Sequence, residues 1–353
     1  ARSSQVCGSC HGMKWFDKSE EWTAHGFRYR PGDDLEKTTP IIRPTQLDKQ
    51  PWLKPVLEKN PGIFNDFFWP DGHIRVTGRE YNGLLESPCY QRGEMSCVSC
   101  HSMHKSDPDD QLARGMRGNQ ACLQCHDEMA GNITAHTQHA ADSVGSNCTN
   151  CHMPHTSYGL LKAIRGHTIE TPNVATTLET GRPNACNLCH LDKTLDWTAG
   201  QLAKRSGEVQ PTVPKEHRTT AASVIWLLKG DAGQRALAAW HMGWKPALEA
   251  SGSGWQSPLL AELLADPYSA VRYMAHKALT RQPGFKGFEY DFVADETSRL
   301  ARREAALAKW TLSTDNTPTH PNTLLLDTDG QRLTNKVWQL IETRDNRPMR
   351  LRE

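Results

Sequence analysis

Ten cysteines and five histidines of this 353-residue chain fall into five copies of one spacing, Cys-x-x-Cys-His. The copies are Cys7-Gly8-Ser9-Cys10-His11, Cys97-Val98-Ser99-Cys100-His101, Cys122-Leu123-Gln124-Cys125-His126, Cys148-Thr149-Asn150-Cys151-His152 and Cys186-Asn187-Leu188-Cys189-His190. Two cysteines three positions apart share one face of a helical turn. Both thiols can then reach one edge of a flat macrocycle while the next imidazole points at its centre. That is the chemistry of covalent c-type haem attachment, with two thioethers to the vinyl groups and a proximal histidine to iron. From the chain's own Cys and His frequencies, roughly 0.015 copies are expected by chance. Zinc ribbons also use paired C-x-x-C units, but zinc does not require a histidine after every second cysteine. A disulfide framework would not repeat this spacing either. The expected cofactor is therefore haem c, five per chain. Cys7, Cys10, Cys97, Cys100, Cys122, Cys125, Cys148, Cys151, Cys186 and Cys189 attach it, and His11, His101, His126, His152 and His190 are the proximal ligands.

Composition agrees with a folded chain. It is 37% hydrophobic and 23% charged, which excludes a collagen, a disordered tail and a membrane bundle. The longest apolar stretch, near Val224 to Leu228, falls far short of the ~20 residues that span a bilayer. A net charge of +1 gives no field for nucleic acid. Haem attachment of this kind takes place outside the cytoplasmic membrane, so export to the periplasm, or to the cell surface or beyond, is expected. Ala1 stands six residues before the first motif, and a processed N-terminus is the natural reading. Redox partner proteins, other cytochromes among them, and self-association are the partners expected.

The elements that must position the motifs divide unevenly. Motif-to-motif spacings are 90, 25, 26 and 38 residues, and no cysteine follows Cys189. Residues 1–200 carry 20 Lys+Arg against 23 Asp+Glu, or −3, and residues 201–353 carry 21 against 17, or +4. The expected fold is mainly α. A haem-packed domain over 1–200 has little regular structure beyond short helices, because porphyrins replace side chains as its core. The long first gap holds a Pro/Trp/Phe-rich stretch from Pro51-Trp52 to Phe67-Phe68-Trp69-Pro70, and Ile74 to Gly78 alternates like a short strand. Such an insertion covers haem faces or binds something. Residues 201–215, with Pro211 and Pro214, read as a linker. Beyond it, Ala221, Val224, Ile225 and Leu228, and then Val271, Met274, Ala275, Ala278 and Leu279, recur with helical period. The segment Leu263 to Arg272, with Asp266-Pro267 and Val271-Arg272, resembles a HEAT repeat, in which Asp-Pro ends one helix and Val-Arg opens the next. Asp231 to Trp240 and Leu300 to Trp310 are weaker copies, so a HEAT-like α-solenoid over 216–353 is expected; a plain helical bundle is the alternative.

Three stretches carry a family resemblance: Glu21-Trp22-Thr23-Ala24-His25, His136-Thr137-Gln138-His139-Ala140-Ala141-Asp142-Ser143, and Cys151-His152-Met153-Pro154 followed by His167. With them, residues 1–190 resemble the multihaem c-type cytochromes related to cytochrome c554 and the ammonia-forming nitrite reductases. The catalytic haem of those reductases typically has Lys in place of the motif histidine, whereas all five motifs here end in His.

Sixteen histidines less the five in motifs leave eleven for the sixth iron positions. His217, His241, His276 and His320 lie in the helical tail, away from the motifs. Seven remain. The resemblance implies His25, on the helix after the first motif, and His167, after the Cys-His-Met-Pro stretch. It also implies that His136 and His139 serve two neighbouring haems; three residues apart, they face one way on a helix. His104 follows His101 too closely to reach its own iron and would serve a neighbour. His155 is the reserve, and His73 reads as a loop residue. Met103, Met129 and Met153 are alternatives, but spare histidines make bis-His ligation the simpler reading, with low potentials and closed irons. Cys89, outside every motif, reads as a buried free thiol, with a haem ligand or an intermolecular disulfide as alternatives. Electron transfer is the expected function. The alternatives are a reductase or oxidase of a small nitrogen or sulfur compound, using His73, Arg75, Arg79 and Tyr81 beside an open iron, or a subunit of an extracellular cytochrome filament.

Overall fold

The structure, a computed structural model, describes residues 2–16, 19–106, 108, 110–207, 209–310 and 318–351. The chain divides into two compact units. The first is Ala1–Pro154 with Arg165–Thr171, and the second is His155–Ile164 with Pro172–Glu353.

The first unit is built from short helices, as expected. Arg2–His11 carries the first motif, the 3-10 turn Cys97–Ser99 opens the second, Gln120–Leu123 leads into the third and Cys148–His152 carries the fourth. The 90-residue gap is folded in its own right. It forms an apolar core of its own from Ile42, Leu53, Phe64, Phe68, Ile74 and Val76, with Trp15 and Trp52 packed at its edge. The strand expected at Ile74 to Gly78 is reduced to isolated bridge positions at Ile74, which pairs with Phe68, and at Val76. Gly78 turns the chain at φ +74°, a conformation glycine adopts at little cost, and a helix begins two residues later.

That helix, Glu80–Glu86, packs on Arg2–His11. Gly8 permits the approach: a Cβ there would lie 2.4 Å from Cδ1 of Tyr81. Asn82 completes the clamp, accepting from Met13 N at 2.7 Å and donating to Ile42 O at 2.8 Å. Removing it would leave buried backbone groups without partners, a cost of about 1–3 kcal/mol.

The second unit opens with the antiparallel hairpin Ser157–Gly159 and Lys162–Ile164 and is otherwise helical. Asn184 accepts from Cys186 N at 3.1 Å and so caps the fifth-motif helix, Ala185–Cys189. This helix packs on Ala222–Leu228, Ala232–His241 and Lys245–Ser251. The division between units therefore differs from the boundary read at 201–215. Residues 201–205 continue the helix Leu195–Ser206, Ser223 Oγ donates to Leu191 O at 2.6 Å, and Ala222 N donates to Lys193 O at 3.1 Å. The fifth motif shares a body with the tail because Leu188, Leu191 and Leu195 are all but fully buried there. His241 is likewise not remote from every motif, since its helix is one that the fifth-motif helix packs on.

The helical periods of the tail reappear as elements. Ala222–Leu228 is buried on all sides, Ala232–His241 starts with an Asp231/Gln234 capping box, and Ser269–Leu279 buries Val271, Met274, Ala275, Ala278 and Leu279. Asp266-Pro267 makes the turn before Ser269–Leu279. Asp266 is completely buried, takes a two-pronged contact from Arg235 at 2.8 and 3.2 Å, and accepts from Arg344 at 2.9 Å. Two guanidiniums meet one carboxylate, with hydrogen bonds to carbonyls using up other donors of Arg235. No helix among the described residues is long and apolar enough to cross a membrane.

Candidate haem-binding site

Consecutive motifs of the first unit are joined by their cysteines. The Cys7 and Cys97 thiols pair, as do Cys122 and Cys148, and Cys100 lies beside Cys125. Burial holds the Cys97 and Cys122 thiols well above the usual thiol range, and the neighbouring sulfurs of Cys7 and Cys148 add to it. Backbone and side-chain bonds fix the same joints. Cys97 N donates to Ser4 Oγ at 3.1 Å, Gln124 Nε2 to Ser99 O at 3.0 Å, and Cys148 N to Asn119 Oδ1 at 2.9 Å. The first motif thus meets the second, the second the third, and the third the fourth. Among the described residues, no disulfide joins two motif cysteines. Among the described residues, no three His, Cys, Asp or Glu side chains converge to hold a metal alone. The donors come instead as thiol pairs followed by an imidazole, the set that haem c requires.

Two imidazole pairs also fit an iron between them. His101 and His167 stand 6.2 Å apart between ring centres with planes 21° from parallel, and His136 and His152 stand 6.0 Å apart at 15°. Two imidazoles on opposite faces of one metal, with bonds of about 2 Å and ring centres about 1.1 Å beyond, stand about 6 Å apart. Three of the four Nδ1 atoms donate to backbone carbonyls. His101 donates to Asp110 O at 3.0 Å, His152 to Glu170 O at 2.7 Å, and His167 to Arg165 O at 3.1 Å. Each bond selects the tautomer whose Nε2 lone pair is available to a metal. Burial pushes the His167 imidazole below its ordinary range, favouring that neutral form.

The long insertion sets His167. A Cβ on Gly83 would come within 2.6 Å of Thr168 N, so only glycine lets the helix Glu80–Glu86 run this close. Ser87 Oγ donates to His167 O at 3.0 Å and accepts from Ile169 N at 2.9 Å. At the other end of the helix, Glu80 Oε2 accepts from His11 Nδ1 at 2.7 Å. Burial alone would raise the Glu80 carboxyl. The His11 hydrogen bond and the backbone N–H of Gly78 are among the interactions that outweigh it and hold it at about 2. Glu80 was not legible as a site residue, because nothing local pairs it with a motif 69 positions away.

The remaining candidates are placed differently. His25 ends the helix Ser19–His25 on the surface, and His104 is exposed in the loop after the second motif. Among the described residues, neither ring faces a motif histidine. His136 and His139 do not share a helical face. The helix Ile133–Thr137 stops at Gln138, which is left-handed at φ 57°, so His139 lies beyond it and donates from Nδ1 to Thr137 O at 2.7 Å. His126 is exposed, 3.6 Å from Glu128. In the second unit, the His190 ring lies 5.1 Å from Trp197, and His155 sits between Trp240 at 5.0 Å and Trp244 at 5.2 Å, with His241 at 6.0 Å. His73 lies 2.8 Å from Asp71 and 3.6 Å from Glu170, Arg75 stacks on Trp69 at 3.9 Å, and Tyr81 is buried against Gly8. Cys89 is a half-buried free thiol.

Residues 90–131, which hold the second and third motifs, match the family described as the doubled CXXCH motif. This supports a multihaem c-type cytochrome. No curated protein matches the chain. Among solved structures, the crystal structure of the outer cell wall cytochrome OcwA is similar at 15% identity and a TM-score of 0.34. The match covers 87% of this chain and 64% of that one, so the chain spans less than two thirds of the cytochrome it resembles.

Proposed function

We propose that the chain is an exported multihaem c-type cytochrome that carries electrons through five covalently bound haems. The observation that carries this reading is the thiol-to-thiol contact of consecutive motifs, Cys7 with Cys97, Cys100 beside Cys125, and Cys122 with Cys148. Neighbouring attachment edges then lie side by side, as transfer between carriers requires. The haems, when bound, supply one-electron chemistry, and the chain attaches, spaces and shields them. His101 with His167, and His136 with His152, are proposed as axial pairs on the strength of their ring separations. His25 and His139 are proposed for remaining sixth positions, as the family resemblance implies, and His104 for another, because it follows His101 too closely to reach its own iron. Axial histidines on both faces keep small molecules off iron and favour low potentials. The His73 contacts with Asp71 and Glu170 favour a structural role for that residue over a substrate-binding one.

The HEAT-like reading of residues 216–353 rests on the Asp266-Pro267 turn and the helices either side of it. It makes the tail a docking surface for a redox partner, and its +4 against the −3 of residues 1–200 suits an acidic partner. Kinship with the nitrite reductases and location in the periplasm or at the cell surface remain parts of the same proposal.

The test is haem counting on denatured protein, with magnetic resonance and carbon monoxide binding on native protein. Five haems that survive extraction, all low-spin and slow to bind carbon monoxide, are expected. Four or fewer haems would overturn the count. A high-spin haem, together with turnover of nitrite that is lost on changing His73 or Arg79, would overturn electron transfer as the main role.

A further inference from the structure

We propose that Glu80 is the residue that makes the first haem the most reducing of the four in the first unit, acting through His11. The inference rests on the haem-carrying role proposed above. His11 Nδ1 lies 2.7 Å from Glu80 Oε2. The other motif histidines of this unit have weaker acceptors: His101 and His152 donate to neutral backbone carbonyls, and the carboxylate nearest His126 is 3.6 Å away. An N–H held by a full negative charge gives up more of its proton than one held by a carbonyl dipole. The imidazole becomes a stronger electron donor through Nε2, which favours ferric over ferrous iron. The charge itself, partly buried beside the ligand, works in the same direction.

The carboxylate is held for this task. Gly78 N donates to Glu80 Oε1 at 2.7 Å, so one oxygen is fixed by backbone and the other is aimed at His11. The helix that carries Glu80 is clamped on the helix that carries His11, through Tyr81 over Gly8 and Asn82 to Met13 N. Glu80 is a positioning and tuning residue, because it touches the ligand and not the iron. The 90-residue gap therefore has a redox purpose as well as a core.

The test is Glu80→Gln in the full haem-loaded chain, followed by spectroelectrochemical titration. Gln keeps the size and one acceptor oxygen but removes the charge, and it cannot accept from Gly78 N–H and His11 Nδ1 at once as the two oxygens of Glu80 do. One fifth of the absorbance change should move to higher potential, with the other four steps in place. Glu80→Asp should restore the wild-type curve in part. Five haems with an unmoved titration would overturn the proposal while leaving the electron-carrier reading intact; loss of covalent haem count in the wild type would overturn that reading instead. If the variant does not load haem, the infrared redox difference spectrum of the wild type decides. A carboxylate band that shifts with the lowest-potential step among the four haems of the first unit supports the role of Glu80, and its absence from that step rejects it.

Discussion

His101 and His167 face each other across 6.2 Å with nearly parallel rings, although 66 residues separate them in the chain. Each donates its Nδ1 proton to a backbone carbonyl, which leaves the Nε2 lone pair of each available to a metal. His136 and His152 repeat the arrangement at 6.0 Å. Replacing His167 by Ala should give one high-spin haem that binds carbon monoxide, and His136→Ala should do the same to a different haem. The double variant should show twice the carbon monoxide-binding amplitude of either single one. Equal amplitudes in single and double variants would mean that the two histidines serve one iron.

Gly83 is predicted to matter as much to ligation as a ligand does. A methyl group there meets Thr168 N at 2.6 Å, and forcing such a contact costs about 1–3 kcal/mol. The backbone next to His167 must yield. Gly83→Ala should therefore give a mixture of low-spin and high-spin forms at one haem, with the far-ultraviolet circular dichroism almost unchanged. An unaltered spin state would place the strain elsewhere.

Asp266 holds the second unit together. It is fully buried with Arg235 also fully buried and Arg344 beside it. Removing one partner of a buried pair typically costs about 3–5 kcal/mol, because the remaining charge is stranded. Asp266→Ala should lower the melting temperature followed by helical signal. The axial spectra of haems on the first unit should not change. Asp266→Asn should fall between the two, since it keeps the size and one acceptor oxygen but loses the charge and the second oxygen that the guanidiniums use.

How much was legible in the sequence follows from which interactions are local. The five motifs are contiguous and were read directly, and the helices Ala222–Leu228 and Ser269–Leu279 follow their apolar period. No local spacing pairs Glu80 with His11, because their contact depends on the fold of the insertion between them. His136 and His139 looked like one helical face, but the left-handed Gln138 ends the helix first. The division of units was hidden because Leu188, Leu191 and Leu195 find cover in a three-dimensional neighbourhood that spacing does not reveal.

The division makes a prediction of its own. A fragment of residues 172–353 keeps the helices around the fifth motif together with the Leu191 O contact to Ser223. A fragment of residues 216–353 loses that contact and the buried leucines before it. The longer fragment should unfold cooperatively in urea, and the shorter one should unfold earlier with a lower slope, since slope follows the surface exposed on unfolding. Equal midpoints would show that the tail folds without the fifth-motif region.

Electron passage from haem to haem is the central claim, and single-electron injection tests it most directly. Fully oxidised protein is given less than one electron per chain by pulse radiolysis, and the haem absorbance bands are followed in time. The account predicts redistribution among bands at a first-order rate that does not change when the protein is diluted tenfold. A rate that falls in proportion to protein concentration would mean that electrons move only between molecules, and would contradict it.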